Sequence, residues 1–187
     1  MKIQEAGIPG VFLIESERRS DERGYLVRTY CEDTFRGHEL NLSWVQTSIT
    51  SSPINGTLRG MHYQKAPFGE IKLIRCITGS IWDCLVDLRQ GSRTFGKWEA
   101  FELSEETARS LYVPLGIAHG FLTMTPDVRM HYAMSRAYSS EHASGIRWND
   151  PAVGIAWPND PVILSERDGS WGDLQDATDP NRKHAAS

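Results

Sequence analysis

Ten short runs rich in β-branched and aromatic residues constrain this chain more than any other feature. They are Val11–Ile14, Gly24–Tyr30, Trp44–Thr50, Thr57–His62, Ile71–Thr78, Ser80–Leu88, Phe95–Leu103, Leu111–Val113, Ala118–Met124 and Val128–Met134. Turn-forming clusters such as Ser52-Pro53-Ile54-Asn55-Gly56 and Thr125-Pro126-Asp127 separate most of them. Short, evenly spaced strands with turn signals between them indicate a sandwich or barrel, not alternating β and α units. Only two stretches read as helical: Glu32–Leu40, and a turn begun by Ser104 with Glu105 and Glu106 at its amino end. The expectation is an all-β fold with short peripheral helices, one domain over residues 1–176, and a frayed polar tail over 177–187.

Composition narrows the function classes. The 187 residues suffice for a single hydrophobic core. A net charge of -4 argues against a surface built to hold nucleic acid, while leaving room for a local cluster of Arg and Lys around a small anion. Cys31, Cys76 and Cys84 are odd in number and lack framework spacing, so they read as free thiols in a reducing compartment. The start of the chain has no apolar signal segment, and no run is long enough to span a bilayer. A soluble cytoplasmic protein is expected.

Two motifs carry the chemistry. Pro114-Leu115-Gly116-Ile117-Ala118-His119 matches the Pro-x-Gly-x-x-His signature of cupins, the small barrels built as a double-stranded β-helix or jelly roll. Where a metal-binding cupin carries His-x-His and a glutamate seven residues before a glycine, this chain has His62, Gln64, Lys72 and Gly79. A divalent ion needs imidazoles and negative charge. An amide and an ammonium at those places speak against metal and for proton chemistry. Residues two apart on a strand share a face, so His62 aligns with Gln64, and Lys72 with Ile74 and Cys76. Glu70 lies at the mouth, able to pair with Lys72. Taken singly, His62 is equally a hydrogen-bonded core histidine and Lys72 a solvated edge lysine. Convergence with His119 favours a functional set.

The chain further resembles the dTDP-4-dehydrorhamnose 3,5-epimerase family. The resemblance runs through Asp21-Glu22-Arg23-Gly24, Leu58–Gln64, Lys72-Leu73-Ile74-Arg75, Val86-Asp87-Leu88-Arg89, Thr94-Phe95-Gly96, Pro114–Phe121, Tyr132 with Tyr138, Trp148-Asn149-Asp150-Pro151, Ile155-Ala156-Trp157-Pro158 and Leu164-Ser165-Glu166-Arg167-Asp168. It implies a cofactor-free epimerase acting on a nucleotide-diphospho-sugar with a 4-keto-6-deoxyhexose. By that resemblance His62 is the base, Asp168 fixes its tautomer, Lys72 lies near the C4 oxygen and Tyr132 is the acid on the opposite face. An imidazole titrates near pH 6.5 and a phenol near 10, which suits those two roles at neutral pH. Arg23, Gln46, Arg59 and His119 match positions that meet the diphosphate or nucleotide, and Tyr138 one that meets the base. The resemblance also implies a homodimer with exchanged amino-terminal strands, which would carry Arg23 to the neighbour's pocket.

Four positions depart from the family pattern. Arg28 replaces a glutamate, Ser48 and Thr50 stand in a Gln-x-Asn-x-Ser motif begun by Gln46, Ala143 replaces a glutamate, and Glu70 replaces a glutamine. Three of these lie toward the nucleotide and none at the proton-transfer residues. The open alternatives are a mono-epimerase at C3 or C5, an epimerase of a CDP- or GDP-linked sugar, a non-catalytic sugar-nucleotide-binding cupin, and a metal-dependent cupin oxygenase. Trp82 and Trp98 read as core aromatics, Trp148 and Trp157 as pins for the carboxy-terminal segment, and His131 as structural.

Overall fold

The computed structural model describes residues 1–175. The tail expected over 177–187 lies outside the described residues. Thirteen strands form: β1 (Lys2–Glu5), β2 (Phe12–Glu15), β3 (Arg18–Asp21), β4 (Gly24–Val27), β5 (Gln46–Ser52), β6 (Leu58–Gln64), β7 (Lys72–Thr78), β8 (Ser80–Asp87), β9 (Trp98–Ser104), β10 (Arg109–Val113), β11 (Ile117–Thr123), β12 (Val128–Met134) and β13 (Ala143–Gly145). Two short helices, α1 (Glu32–Arg36) and α2 (Glu166–Gly169), accompany them. Among the described residues no helix is long and apolar enough to cross a membrane.

The strands build two facing sheets, β1-β2-β10-β7-β12-β5 and β13-β6-β11-β8-β9, with the hairpin β3–β4 standing apart. All pairings within the two large sheets are antiparallel. This is the cupin-type barrel that the strand pattern and the Pro-x-Gly-x-x-His motif imply.

Alternation along each strand decides what fills the space between the sheets. Ile74 and Cys76 of β7, Ile81 and Leu85 of β8, Phe121 of β11, and Val128 and Met130 of β12 meet there in one buried apolar cluster. Their odd-phase neighbours face outward. On the five-stranded sheet Met61, Cys84, Val86 and Ala118 are covered by the returning carboxy-terminal segment through Ile146, Val153 and Leu174. On the six-stranded sheet Ile14, Leu73, Tyr112 and Ala133 are covered by α1 through Phe35.

Several expectations are corrected at this level. The helix ends at Arg36 instead of Leu40, because Gly37, His38 and Glu39 close it with turn hydrogen bonds to Asp33, Phe35 and Arg36. The stretch after Ser104 is a turn, not a helix: Ser104 Oγ accepts from the Thr107 N–H, and Ala108 takes φ 51, a left-handed conformation that ends any helical run. The second helix is α2, whose signal is Ser165 ahead of Glu166. Trp82 and Trp98 are not between the sheets but on the outer face, where Trp157 packs on Trp82 at 5.0 Å. Trp157 donates to the Trp148 carbonyl at 2.8 Å and Trp98 to the Gly154 carbonyl at 3.1 Å, which pins the carboxy-terminal segment as expected.

Candidate active site

The apolar filling of the barrel stops toward the end where β7 starts and β6 and β12 finish. There the inward positions are titratable or polar. Strands β6 and β11 approach closely because Gly60 and Gly120 lie back to back: a Cβ on Gly60 would sit 2.5 Å from the Gly120 Cα. Beyond that crossing, His62 and His119 are direct cross-strand partners.

His62 is held by a residue from the far end of the chain. Helix α2 is capped by Ser165, whose hydroxyl accepts from the Asp168 N–H at 3.1 Å. This aims the buried Asp168 carboxylate at β6, where Oδ1 stands 2.6 Å from His62 Nε2 and Oδ2 accepts from the Gly60 N–H at 3.1 Å. Burial pushes the Asp168 carboxyl up. The hydrogen bond and charge of His62, together with the Gly60 N–H, outweigh that and hold it below the usual carboxylate value. Asp168 is therefore not the exposed turn aspartate that its sequence context equally allowed. The His62 side chain keeps 41% of its surface exposed, with Nε2 engaged by Asp168.

Lys72 is not an edge lysine. Strand β7 lies between β10 and β12, and the Lys72 side chain is only 11% exposed. Its ammonium stands 3.2 Å from Glu70 Oε1 and donates to the His62 carbonyl at 3.4 Å. His62 and Lys72 are thus tied to each other. His62, Gln64, Glu70, Lys72, Tyr138 and Arg167 line a cleft of about 190 Å³, with Ala143 on its wall.

Tyr132 points inward from β12, opposite Ser48 of β5, with its ring 6.1 Å from that of His119. Burial pushes its phenol above the ordinary value, the Asp83 carboxylate pushes it further, and the Arg59 charge opposes both. The phenol is a donor at any ordinary pH. Arg59 is oriented by Ser52 Oγ at 3.1 Å and the Ser51 carbonyl at 3.1 Å. Gln46 accepts from the Tyr138 N–H at 3.0 Å, which fixes the segment after β12, and Arg167 Nη1 reaches the Tyr138 hydroxyl at 3.4 Å.

The structure therefore brings His62, Lys72 and Tyr138 to one cleft, with Asp168 behind His62. Beside it Tyr132 and His119 pack against each other, Gln46 holds Tyr138, Ser48 lies opposite Tyr132, and Arg59 is held further down β5 by Ser51 and Ser52. The structure does not bring Arg23 or Arg28 there. Arg23 is exposed at the tip of the β3–β4 hairpin, paired with Asp21 at 2.5 Å. Arg28 lines a separate crevice with Glu17, Arg19 and Leu26. His131 faces the outer side with Arg75, as its position beside Tyr132 implies.

Two residues escape the sequence reading. Asp83 is fully buried, its Oδ2 stands 2.8 Å from His119 Nε2, and its Oδ1 has no partner. The available signal was alternation, since Ile81, Asp83 and Leu85 share one face and that face is the interior. The other is Arg167, beside Asp168 in sequence and in the cleft.

Comparison with known proteins fits this geometry. The sequence pattern of the family described as dTDP-4-dehydrorhamnose 3,5-epimerase matches residues 5–176. A protein of that name from Sinorhizobium fredii is 42% identical over 171 residues, covering 91% of this chain and 88% of the relative. The crystal structure of the Bacillus anthracis dTDP-4-dehydrorhamnose 3,5-epimerase with TDP and pyrophosphate bound superposes with a TM-score of 0.88 at 37% identity, covering 92% of this chain and 98% of the other. The Legionella pneumophila epimerase in complex with dTDP-4-keto-L-rhamnose gives 0.88 at 31% identity, with 93% of each chain covered. With a barrel that ends in a histidine–carboxylate pair, a lysine and an inward tyrosine, the chain belongs to the dTDP-4-dehydrorhamnose 3,5-epimerase family.

Proposed function

We propose that this protein epimerises dTDP-4-dehydro-6-deoxy-D-glucose at C3 and C5 to dTDP-4-dehydro-L-rhamnose, with His62 as base and Tyr132 as acid. The observation that carries the reading is the buried Asp168 gripping Nε2 of a half-exposed His62. Depressed in its pKa, Asp168 is a carboxylate at neutral pH and stabilises the imidazolium that forms when His62 takes a proton. A proton next to the C4 carbonyl leaves to His62. The electron pair moves to the C4 oxygen, where the fixed Lys72 ammonium meets the enolate charge. Tyr132 returns a proton from the other face, and the stereocentre inverts. No redox cofactor enters this balance.

Arg59, Gln46, Ser48 and Tyr138 are proposed to hold the nucleotide-diphosphate portion, with the buried His119, matched to a nucleotide position by resemblance, behind them on Asp83. Guanidinium groups suit it because their planar fork donates two bonds to phosphate. Arg23 and Arg28 join them only in a homodimer that exchanges amino-terminal strands. That assembly is supported by the β3–β4 hairpin, which pairs with no other strand among the described residues, and by the exposure of Leu26 and Tyr25. A strictly monomeric protein in sedimentation equilibrium overturns it. Unpaired Cys31, Cys76 and Cys84 support a cytoplasmic location.

The test is incubation with the dTDP-linked 4-keto-6-deoxy sugar in deuterated water, with CDP- and GDP-linked sugars as parallel arms. Deuterium at C3 and C5 with inverted product is expected from the dTDP arm. Label at one carbon makes it a mono-epimerase, faster turnover of another nucleotide assigns the departures at Ser48 and Ala143 to base choice, and no label with tight binding makes it a binding cupin.

A further inference from the structure

The amide of Gln64 has no freedom to turn. Its Oε1 accepts from the Ser139 N–H at 2.6 Å, and its Nε2 donates to the Phe68 carbonyl at 3.1 Å and to the Ala137 carbonyl at 3.4 Å. The same Nε2 donates to Glu70 Oε2 at 2.9 Å, while Glu70 Oε1 receives the Lys72 ammonium at 3.2 Å. Gln64 is 7% exposed, and the side chains of Glu70 and Lys72 are 10% and 11% exposed. Position 70 is therefore addressed by two donors from two sides. A carboxylate offers a separate acceptor oxygen to each. The glutamine of the family pattern would set its own NH₂ against either Gln64 or Lys72.

We propose that Glu70 is a positioning residue for Lys72, and that Gln64 couples this to the segment carrying Tyr138, so that the cleft wall and the enolate-facing cation are set as one unit. A lysine stem has four rotatable bonds and wanders without such an anchor. The alternative, that Glu70 acts by its charge, has the opposite sign. A carboxylate beside Lys72 offsets part of the field that stabilises an enolate, so removing the charge alone speeds the reaction. The proposal rests on the epimerase reading, and turnover by the unmodified protein tests that reading separately.

The experiment compares kcat and KM of the parent, Glu70→Gln, Gln64→Leu and the double variant on the dTDP-linked 4-keto sugar. Glu70→Gln is expected to lower kcat by roughly fivefold, the size of one lost hydrogen bond, with KM within about twofold and the fold retained by circular dichroism. In the Gln64→Leu background, where the competing donor is gone, the same change is expected to cost less than about twofold. A kcat for Glu70→Gln equal to or above that of the parent overturns the proposal. So does an equal loss in both backgrounds. If Gln64→Leu does not fold, the sign of the Glu70→Gln effect on kcat still decides.

Discussion

His62–Asp168 and His119–Asp83 are the same two side chains joined at nearly the same length, 2.6 and 2.8 Å, on cross-strand neighbours of one sheet. Their surroundings set them apart. Asp168 has a second donor in the Gly60 N–H, and its histidine opens to the cleft. Asp83 is sealed, with one oxygen unsatisfied, and its histidine is 5% exposed. Burial accordingly raises the Asp83 carboxyl despite His119, whereas bonding wins at Asp168. The lesson is that a histidine–carboxylate pair is not a proton-transfer unit by composition. The number of donors on the carboxylate and the access to the imidazole decide which pair works on substrate.

His62→Ala tests the open pair most directly. If one base serves both abstractions as proposed, exchange at both carbons is expected to fall by about three orders of magnitude. Circular dichroism confirms the fold, and exchange near the parent rate removes His62 from the mechanism. Tyr132→Phe is expected to lower inverted product by about two orders of magnitude while solvent deuterium still enters with retained configuration. Joint loss of exchange and inversion assigns Tyr132 to binding or packing instead, with Tyr138 as the next candidate acid.

Asp168→Asn and Asp83→Asn separate the two pairs by stability. A depressed carboxyl contributes stability above its unfolded value, near 3.8, and loses it as pH falls through the lower folded value. Asp168→Asn is thus expected to melt roughly 4–8 °C lower at pH 7, from a charge-assisted bond of ~2 kcal/mol, with the gap closing below about pH 4. A raised carboxyl has the reverse sign: its stabilising contribution is present below 3.8 and lost as pH rises through the folded value. Asp83→Asn is therefore expected to melt higher at pH 7, again converging in acid. Calorimetry across pH checks both, and shifts of the same sign in the two variants erase the contrast.

Much of this was legible before any coordinates. Strand spacing gave a sandwich or barrel, and two-residue periodicity put His62 with Gln64 and Glu70 beside Lys72. The convergence of His62, Lys72 and His119 rested instead on their match to the cupin motif positions. Asp83 was hidden because one aspartate in the run Ile81–Leu85 is informative only once the interior face is known. Its partner His119 is 36 residues away on another strand. Arg23 and Arg28 lie in a hairpin whose placement relative to the cleft is a matter of tertiary, and in the proposed dimer quaternary, geometry that local pattern does not encode. The turn at Ser104 misled because an acidic first turn suits a helix and a turn alike, while the left-handed Ala108 belongs to the connection that carries the chain from β9 in one sheet to β10 in the other.

The carboxylate that grips His62 comes from 106 residues further along the chain. Ribosomes add residues at ~10 per second, so a nascent molecule carries its imidazole for ~10 s before Asp168 exists. Strands β6, β7, β11 and β12 are all made in that interval. An unfinished chain has the strands of both sheets but not the carboxylate that holds His62. In the proposed reaction, competence arrives with α2, and a chain cut short before it lacks both the carboxylate on His62 and the Leu174 cover of the five-stranded sheet.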